Sequence, residues 1–194
     1  MTKQEIIDSV FAIKFNTEIE KMIEVKNAIK NFFKEFGFDS EVNDAQLILR
    51  MFENEAEYNK EPYAIFKESC KMLEPITKRL RLLDEWSKYE IKIAPYVIGY
   101  CANYKHSIDL AKKMLKQLKK FSDEKDYVNI KLAVHTNMLL RLLRAKLVEV
   151  SDKNDPKLKA EFLKHRKSAS KICEANFENC FLHSMLISMR AAVF

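Results

Sequence analysis

Two cysteines and a histidine near the end of the chain have a spacing that could hold a metal ion. Cys180 and His183 are three residues apart, and Cys173 lies seven residues before Cys180, so all three share one face of a helix. Two thiolates and one imidazole could bind a structural zinc ion if a neighbouring helix supplied a fourth ligand. Cysteine also packs well as a small apolar residue. We therefore predict that this face belongs to the core, with a zinc site as the alternative.

His135 could serve as a base or a ligand. It shares a helix face with Val128, Leu132, Leu139 and Leu142, on a helix that is apolar on most of its sides. A histidine in such surroundings is usually buried and hydrogen-bonded. We predict this structural role for His135, and we expect its helix to be the central rod of the fold.

The motifs of common enzyme classes are absent from the sequence. Gly37 and Gly99 are the only glycines, which leaves no Walker loop and no glycine-rich dinucleotide turn. There is no HExxH motif, and none of the four histidines follows an acidic residue by three positions, as the helical di-iron sites require. The sequence therefore predicts a non-enzymatic protein with no catalytic residues and no cofactor.

Three tyrosines could form part of a binding surface. Tyr96, Tyr100 and Tyr104 are spaced by four, which places them along one face if a single helix contains them all. Tyrosine rows occur in protein interfaces and in surfaces that stack nucleic-acid bases. They also occur as half-buried packing with each hydroxyl in water. These interpretations stay open at the level of the sequence.

A group of lysines follows the tyrosines. On a helical projection, five lysines fill an arc about 120° wide, separate from the apolar side formed by Ile108, Leu110, Met114 and Leu118. We call these five residues the lysine face: Lys112, Lys113, Lys116, Lys119 and Lys120. The pattern predicts that they face solvent or a partner while the opposite side is core.

Charge is distributed unevenly along the chain. Residues 1–61 carry 8 basic and 13 acidic groups, whereas residues 62–194 carry 26 basic and 15 acidic groups. The excess is greatest at 105–171, with 18 basic against 8 acidic groups, and it would attract an acidic protein or a phosphate backbone. Lysine outnumbers arginine 27 to 7, although arginine is the more usual phosphate and base reader. A basic surface is therefore predicted, and its partner is left open.

Composition indicates the fold class. The chain of 194 residues is 47% apolar and has two glycines, which favours an all-α protein with a sizeable core. We expect one domain over 1–194, with an acidic part at 1–61 and a basic remainder at 62–194. No signal peptide, membrane-spanning segment or dense cysteine framework is evident, so we predict a cytoplasmic protein with reduced thiols.

Capping residues, prolines and Gly37 mark the predicted helices. The segments are roughly 3–15, 18–36, 40–58, 62–73, 75–91, 95–105, 107–121, 124–150 and 156–182, with Thr17 and Glu20 as a capping box. Ile98, Gly99, Ala111 and Leu115 resemble the core positions of a tetratricopeptide hairpin, and this resemblance covers one hairpin only. We predict an irregular bundle of about seven to eight helices, with antiparallel hairpins as building units.

Together these patterns favour a binding or adaptor protein. We expect it to dock a partner protein, with an acidic partner favoured, through Tyr96, Tyr100, Tyr104, Lys112, Lys116, Lys119 and Lys120. The alternative is a nucleic-acid-binding protein that contacts phosphates through the 105–171 region. The residues predicted for that role are Lys112, Lys113, Lys116, Lys120, Arg141, Arg144, Lys164, Arg166 and Lys167.

Overall fold

The computed structural model describes residues 1–13, 18–57, 61–149 and 155–175. Within these ranges the chain forms eight α-helices with one 3₁₀ turn and one π turn, and it contains no strand. The predicted all-α fold with about eight helices is confirmed. The helices are α1 Lys3–Phe11, α2 Ile19–Phe36, α3 Ser40–Glu55, α4 Pro62–Leu82, α5 Lys88–Ile98, α6 Tyr104–Leu118, α7 Tyr127–Arg144 and α8 Pro156–Ala175.

The chain divides into two compact units, Met1–Ile76 and Thr77–Phe194, and the boundary falls within α4. Each unit has buried apolar side chains of its own. The organisation as one domain over 1–194 stays a prediction.

In the first unit, α1, α2 and α3 pack against one another. Their shared core includes Ile6, Val10, Ile29 and Ile48, none of which is exposed to solvent. Residues at the helix ends explain the boundaries. Thr2 and Glu5 form a capping box at the start of α1, and Asp39 accepts hydrogen bonds from the first turn of α3.

The end of α2 also follows from a local requirement of the backbone. Gly37 has a φ of +77°, a left-handed conformation that only glycine adopts without cost, and it stops the helix where the sequence predicts. The start of α2 has no side-chain cap at Glu18, and Thr17, which we predicted as the capping residue, lies outside the described residues.

In the second unit, α7 packs against α5, α6 and α8. Its residues Val134, Met138, Leu139 and Leu142 are fully buried, which agrees with a central position for this helix in the unit. The helix begins at Tyr127, and its last turn widens into a π turn over Ala145–Glu149. The neighbouring helices α6 and α8 therefore have α7 as a common support.

Two prolines lie inside helices, where the sequence predicted helix starts. Pro75 is within α4 and Pro95 is within α5, so the predicted segments 62–73 and 75–91 are wrong in their common boundary. An interior proline costs roughly 3 kcal/mol, but buried residues continue across it at helical spacing, with Leu73 before Pro75 and Ile76 and Leu80 after it. The burial of these residues outweighs the free-energy cost of the proline. The helix therefore continues to Leu82, and residues 83–87 form the connection to α5.

The true start of α5 had a signal that the sequence interpretation overlooked. Ser87 and Glu90 form a capping box, because the Ser87 hydroxyl accepts from the first turn and the Glu90 carboxylate accepts from the Ser87 amide. This pair moves the helix start to Lys88 and places Pro95 near its end.

Candidate functional site

The α6 helix separates its core side from its lysine face. Asn103 caps the helix by accepting a hydrogen bond from the Lys105 amide, and the helix then runs from Tyr104 to Leu118. Leu110, Ala111 and Met114 are buried, whereas Lys112, Lys116, Lys119 and Lys120 are exposed and Lys113 is half-buried. The lysine ammonium groups therefore project from the side of α6 that the helical projection indicated.

Part of the lysine face holds the connection between α4 and α5. Lys113 Nζ donates to the Arg81 carbonyl oxygen at 2.8 Å, Gln117 Nε2 donates to the Asp84 carbonyl oxygen at 2.7 Å, and Lys120 Nζ lies 2.9 Å from Glu85 Oε1. Positions 113, 117 and 120 follow one another along one side of the helix. Lys113 and Lys120, which we predicted to bind a partner or phosphates, thus have structural contacts within the unit.

The lysines on the other side of α6 border an open groove. The groove has a volume of about 510 Å³ and lies between the N-terminal halves of α6 and α8. Its floor and walls combine apolar side chains with three lysines and two acids. The lining residues, which define the α6–α8 groove, are Tyr104, Lys105, Ile108, Asp109, Lys112, Lys157, Ala160 and Glu161.

Lysines extend beyond the groove along both helices. Lys116 lies one turn beyond Lys112 on α6, and Lys119 begins the 3₁₀ turn Lys119–Phe121 that directly follows this helix. Neither lysine forms an ion pair with the described residues. On α8, Lys164 and Lys167 are exposed. The positive charge that the sequence concentrates at 105–171 is therefore present around this groove.

A carboxylate inside the groove has three basic neighbours. The Glu161 carboxylate lies 3.0 Å from Lys164 Nζ, 3.6 Å from Lys112 Nζ and 3.8 Å from His165 Nε2. Partial burial raises the pKa of Glu161, but the hydrogen bond from Lys164 and the charges of both lysines outweigh this effect and bring the pKa below its usual value. Glu161 is therefore ionised at neutral pH.

Behind Glu161 lies a buried pair of histidines. His135 Nδ1 and His165 Nδ1 are 2.9 Å apart, and both rings are almost fully buried between α7 and α8. One Nδ1 must donate and the other must accept. Because His165 Nε2 faces the Glu161 carboxylate, we assign the Nε2 proton to His165, so that His135 Nδ1–H is the donor to His165 Nδ1.

Burial keeps both histidines neutral at pH 7. Desolvation is the largest cause, and the nearby lysines act in the same direction, so that the pKa of each histidine falls from 6.5 to about 4. The charges that lower the pKa of His135 are those of His165, Lys131 and Lys164, while at His165 the Glu161 carboxylate opposes Lys164 and Lys112. The predicted buried, hydrogen-bonded state of His135 is observed.

The three tyrosines do not form one row, because two helices and a turn divide them. Tyr96 is in α5, Tyr100 is in the turn after Gly99, and Tyr104 is the first residue of α6. The predicted helix at 95–105 is wrong, since Asn103 caps a new helix there. Tyr96 is largely buried, which raises the pKa of its hydroxyl. Only Tyr104 lines the groove.

Arg141 is buried, whereas contact with a nucleic acid requires an exposed side chain. Its side chain is fully buried, with Nε donating to the Cys101 carbonyl oxygen at 3.0 Å and Nη2 donating to the Ala102 carbonyl oxygen at 3.2 Å. A buried guanidinium cannot reach a phosphate backbone. The Arg144 guanidinium lies 5.3 Å from the centre of the Tyr100 ring. Among the other predicted phosphate contacts, Lys164 and Lys167 are exposed and Arg166 is half-buried.

The proposed zinc face is only partly within the described residues. Cys173 is buried in α8 and forms no disulfide with the other described cysteines, which agrees with core packing. Cys180 and His183 lie outside the described residues. Within 1–13, 18–57, 61–149 and 155–175, no three metal-binding side chains come close enough to hold an ion.

Sequence reasoning missed the central residue of the groove. Glu161 and His165 are spaced by four on α8, a separation that places a carboxylate beside an imidazole, whereas we tested only a spacing of three. Lys105, Asp109 and Lys157 carried no signal of their own, because a groove between two helices depends on tertiary packing.

Comparisons with known proteins give no relative for this chain: no family model, no curated protein and no solved structure matches it. None of the described helices is long and apolar enough to cross a membrane. The arguments for function therefore rest on the groove itself.

Proposed function

We propose that this chain is a non-enzymatic binding protein that docks an acidic segment of a partner protein in the α6–α8 groove. The observation that carries the proposal is the combination of apolar side chains with three lysines in the lining of one open groove. Tyr104 and Ile108 supply surface that an apolar side chain can desolvate, and Lys105, Lys112 and Lys157 supply the charge.

Charge complementarity supports an acidic partner. Three lysines and two acids line the groove, and one of the acids, Glu161, already lies against Lys164 and Lys112. Lys116, Lys119 and Lys167 add further positive charge nearby. Such a surface speeds the encounter with an acidic segment, while the apolar side chains of the groove limit dissociation.

The rival ligand is a nucleic acid, and the two ligands differ in how salt affects them. Each phosphate that a lysine neutralises releases a counterion, so the affinity for a phosphate backbone falls steeply with salt. A contact anchored by Tyr104 and Ile108 loses much less affinity. The sequence analysis predicted two phosphate contacts on α7, from Arg141 and Arg144. Because Arg141 is buried and donates to the Cys101 carbonyl oxygen, one of these contacts is lost, which supports the protein partner over the nucleic acid.

The thiols support a reducing location for this activity. Cys70, Cys101 and Cys173 are all buried and form no disulfide with one another. Buried free thiols are common in proteins of reducing compartments. We therefore propose that the protein acts in the cytoplasm.

The test is binding of a fluorescein-labelled peptide that alternates glutamate and leucine, measured by fluorescence anisotropy. A peptide that alternates glutamine and leucine controls for charge, and labelled oligodeoxythymidine represents nucleic acid. We expect the glutamate peptide alone to bind at physiological salt. Tighter binding of oligodeoxythymidine with a steep salt dependence would favour the rival, and binding of neither probe would overturn the proposal.

A pair of charge-reversal variants locates the binding surface. Changing Lys105, Lys112 and Lys157 together to Glu should weaken peptide binding at least ~10-fold, because attraction becomes repulsion. The control changes Lys30, Lys71 and Lys125 to Glu, which alters the net charge equally at exposed positions outside the groove. Equal losses in both variants would show that only the net charge matters.

A further inference from the structure

The Glu161 carboxylate occupies the lysines that an acidic partner would need. It lies 3.0 Å from Lys164 Nζ and 3.6 Å from Lys112 Nζ, and Glu161 and Lys112 both line the groove. A carboxylate from a partner would have to compete with this internal carboxylate for the same ammonium groups.

The contacts of Glu161 are weak enough to exchange. The side chains of Lys112 and Lys164 are 55% and 53% exposed, and ion pairs at such positions contribute little stability. A segment with several acids can therefore displace Glu161 from its lysines. The Glu161 side chain itself is only 21% exposed, and its carboxylate lies 3.8 Å from His165 Nε2.

The exchange changes the charges around the buried histidines. The charged groups that act on this pair are Lys112 from α6, Lys131 from α7, and Glu161 and Lys164 from α8. Of these, Glu161 alone favours a protonated His165. When an acidic segment neutralises Lys112 and Lys164, the net charge around His165 becomes more negative.

We propose that Glu161 is an internal competitor, which holds Lys112 and Lys164 in the empty groove and turns its charge to His165 when an acidic partner takes those lysines. This inference rests on the proposed function, since it describes how the same groove is regulated.

The first experiment compares two groove acids as competitors. Glu161→Gln should tighten binding of the glutamate and leucine peptide by about 3- to 10-fold, because it frees both lysines. Asp109→Asn removes the same formal charge from the same groove, but Asp109 forms no ion pair with the described residues. We expect a gain below about twofold for Asp109→Asn. Equal gains would overturn the proposal, since general charge would then explain both.

The second experiment follows the His165 ring by NMR, with the resonance of its Cε1–H assigned through His165→Gln. Saturating peptide should raise the pKa of His165 by about half to one pH unit. An unchanged His165 titration in the peptide complex would overturn the coupling.

The ligand-free protein separates the two proposals. In the absence of peptide, Glu161→Gln should lower the pKa of His165, because the variant removes the one charge that raises it. If no peptide binds to either protein but this shift occurs, the proposed function fails while the contact between Glu161 and His165 stands. If peptide binds and neither variant nor peptide moves His165, the function stands and the competitor role is wrong.

Discussion

Arg141 Nε donates a hydrogen bond to the carbonyl oxygen of Cys101 at 3.0 Å, and this bond joins the centre of α7 to the turn between α5 and α6. The Nη2 atom makes a second bond to Ala102 at 3.2 Å. A charged side chain with no exposed surface thus donates to two backbone carbonyl groups of the turn that joins α5 to α6. The turn positions Tyr104, so the bond also positions the mouth of the groove.

Replacement of Arg141 should therefore be costly. Arg141→Met keeps much of the volume but leaves the Cys101 and Ala102 carbonyl groups without their donors, and we expect a loss of ~2–4 kcal/mol in the free energy of unfolding. Urea denaturation followed by circular dichroism measures this loss. Arg144→Met is the matched control, for which we expect less than about 1 kcal/mol, since its contact with Tyr100 is at a half-buried position. Similar losses in both variants would contradict the role given to Arg141.

Burial along α7 leads to a second prediction. Leu139 and Leu142 are fully buried, so Leu139→Ala or Leu142→Ala should each leave a cavity and destabilise the protein by ~2–5 kcal/mol. Leu140, between them in sequence, is 37% exposed, and Leu140→Ala should cost well under half as much. Thermal and urea unfolding of the three variants distinguish the faces. A large loss for Leu140→Ala would show that the assigned orientation of α7 is wrong.

The histidine pair predicts how stability depends on pH. Both pKa values fall to about 4 in the folded protein, from an ordinary 6.5. Between these values the unfolded chain binds more protons than the folded protein. The stability that the neutral pair contributes is therefore full above pH 6.5 and is lost progressively as pH falls towards 4. Urea unfolding between pH 4.5 and 7.5 measures the slope.

A variant identifies the source of this slope. His165→Gln removes one titrating group while the amide can still hydrogen-bond His135, and it should flatten the decline. A decline that is identical in His165→Gln and in the unmodified protein would assign it to other groups.

The two outer tyrosines should respond differently to truncation. Tyr104→Ala should weaken binding of the glutamate and leucine peptide by about tenfold with little change in melting temperature, because the ring lines the groove. Tyr96→Ala should lower stability by ~1–3 kcal/mol and leave the affinity of the folded protein unchanged, because its ring is packed in the unit. Anisotropy and thermal melting together measure both effects. A fall in melting temperature for Tyr104→Ala with unchanged affinity would place Tyr104 in the core.

Local signals in the sequence predicted a large part of the fold and a smaller part of the candidate site. Scarce glycine and helical spacing indicate the all-α class. Gly37 marks the end of α2 in the sequence because glycine adopts the positive φ found there without steric cost. The same reasoning failed at Pro75, where burial of Leu73, Ile76 and Leu80 extends α4 past a residue that locally disfavours it. Local rules decide helix ends only where tertiary packing does not oppose them.

The site depended more on tertiary structure. The orientation of the lysine face follows from helical geometry alone. Lys113 contacts Arg81 and Lys112 contacts Glu161 because different segments pack on the two sides of α6. The spacing of residues within one helix cannot predict which segments these are. The hydrogen bond between His135 and His165 likewise joins residues 30 positions apart.

That hydrogen bond also sets the register of α8 along α7. Apolar side chains pack in several alignments, and a helix can slip by one turn, about 5.4 Å, without exposing much more apolar surface. A slipped α8 would leave two buried ring nitrogens unpaired, and each would cost free energy. The pair of imidazoles, uncharged at neutral pH, thus selects one alignment of the two helices without burying an ion.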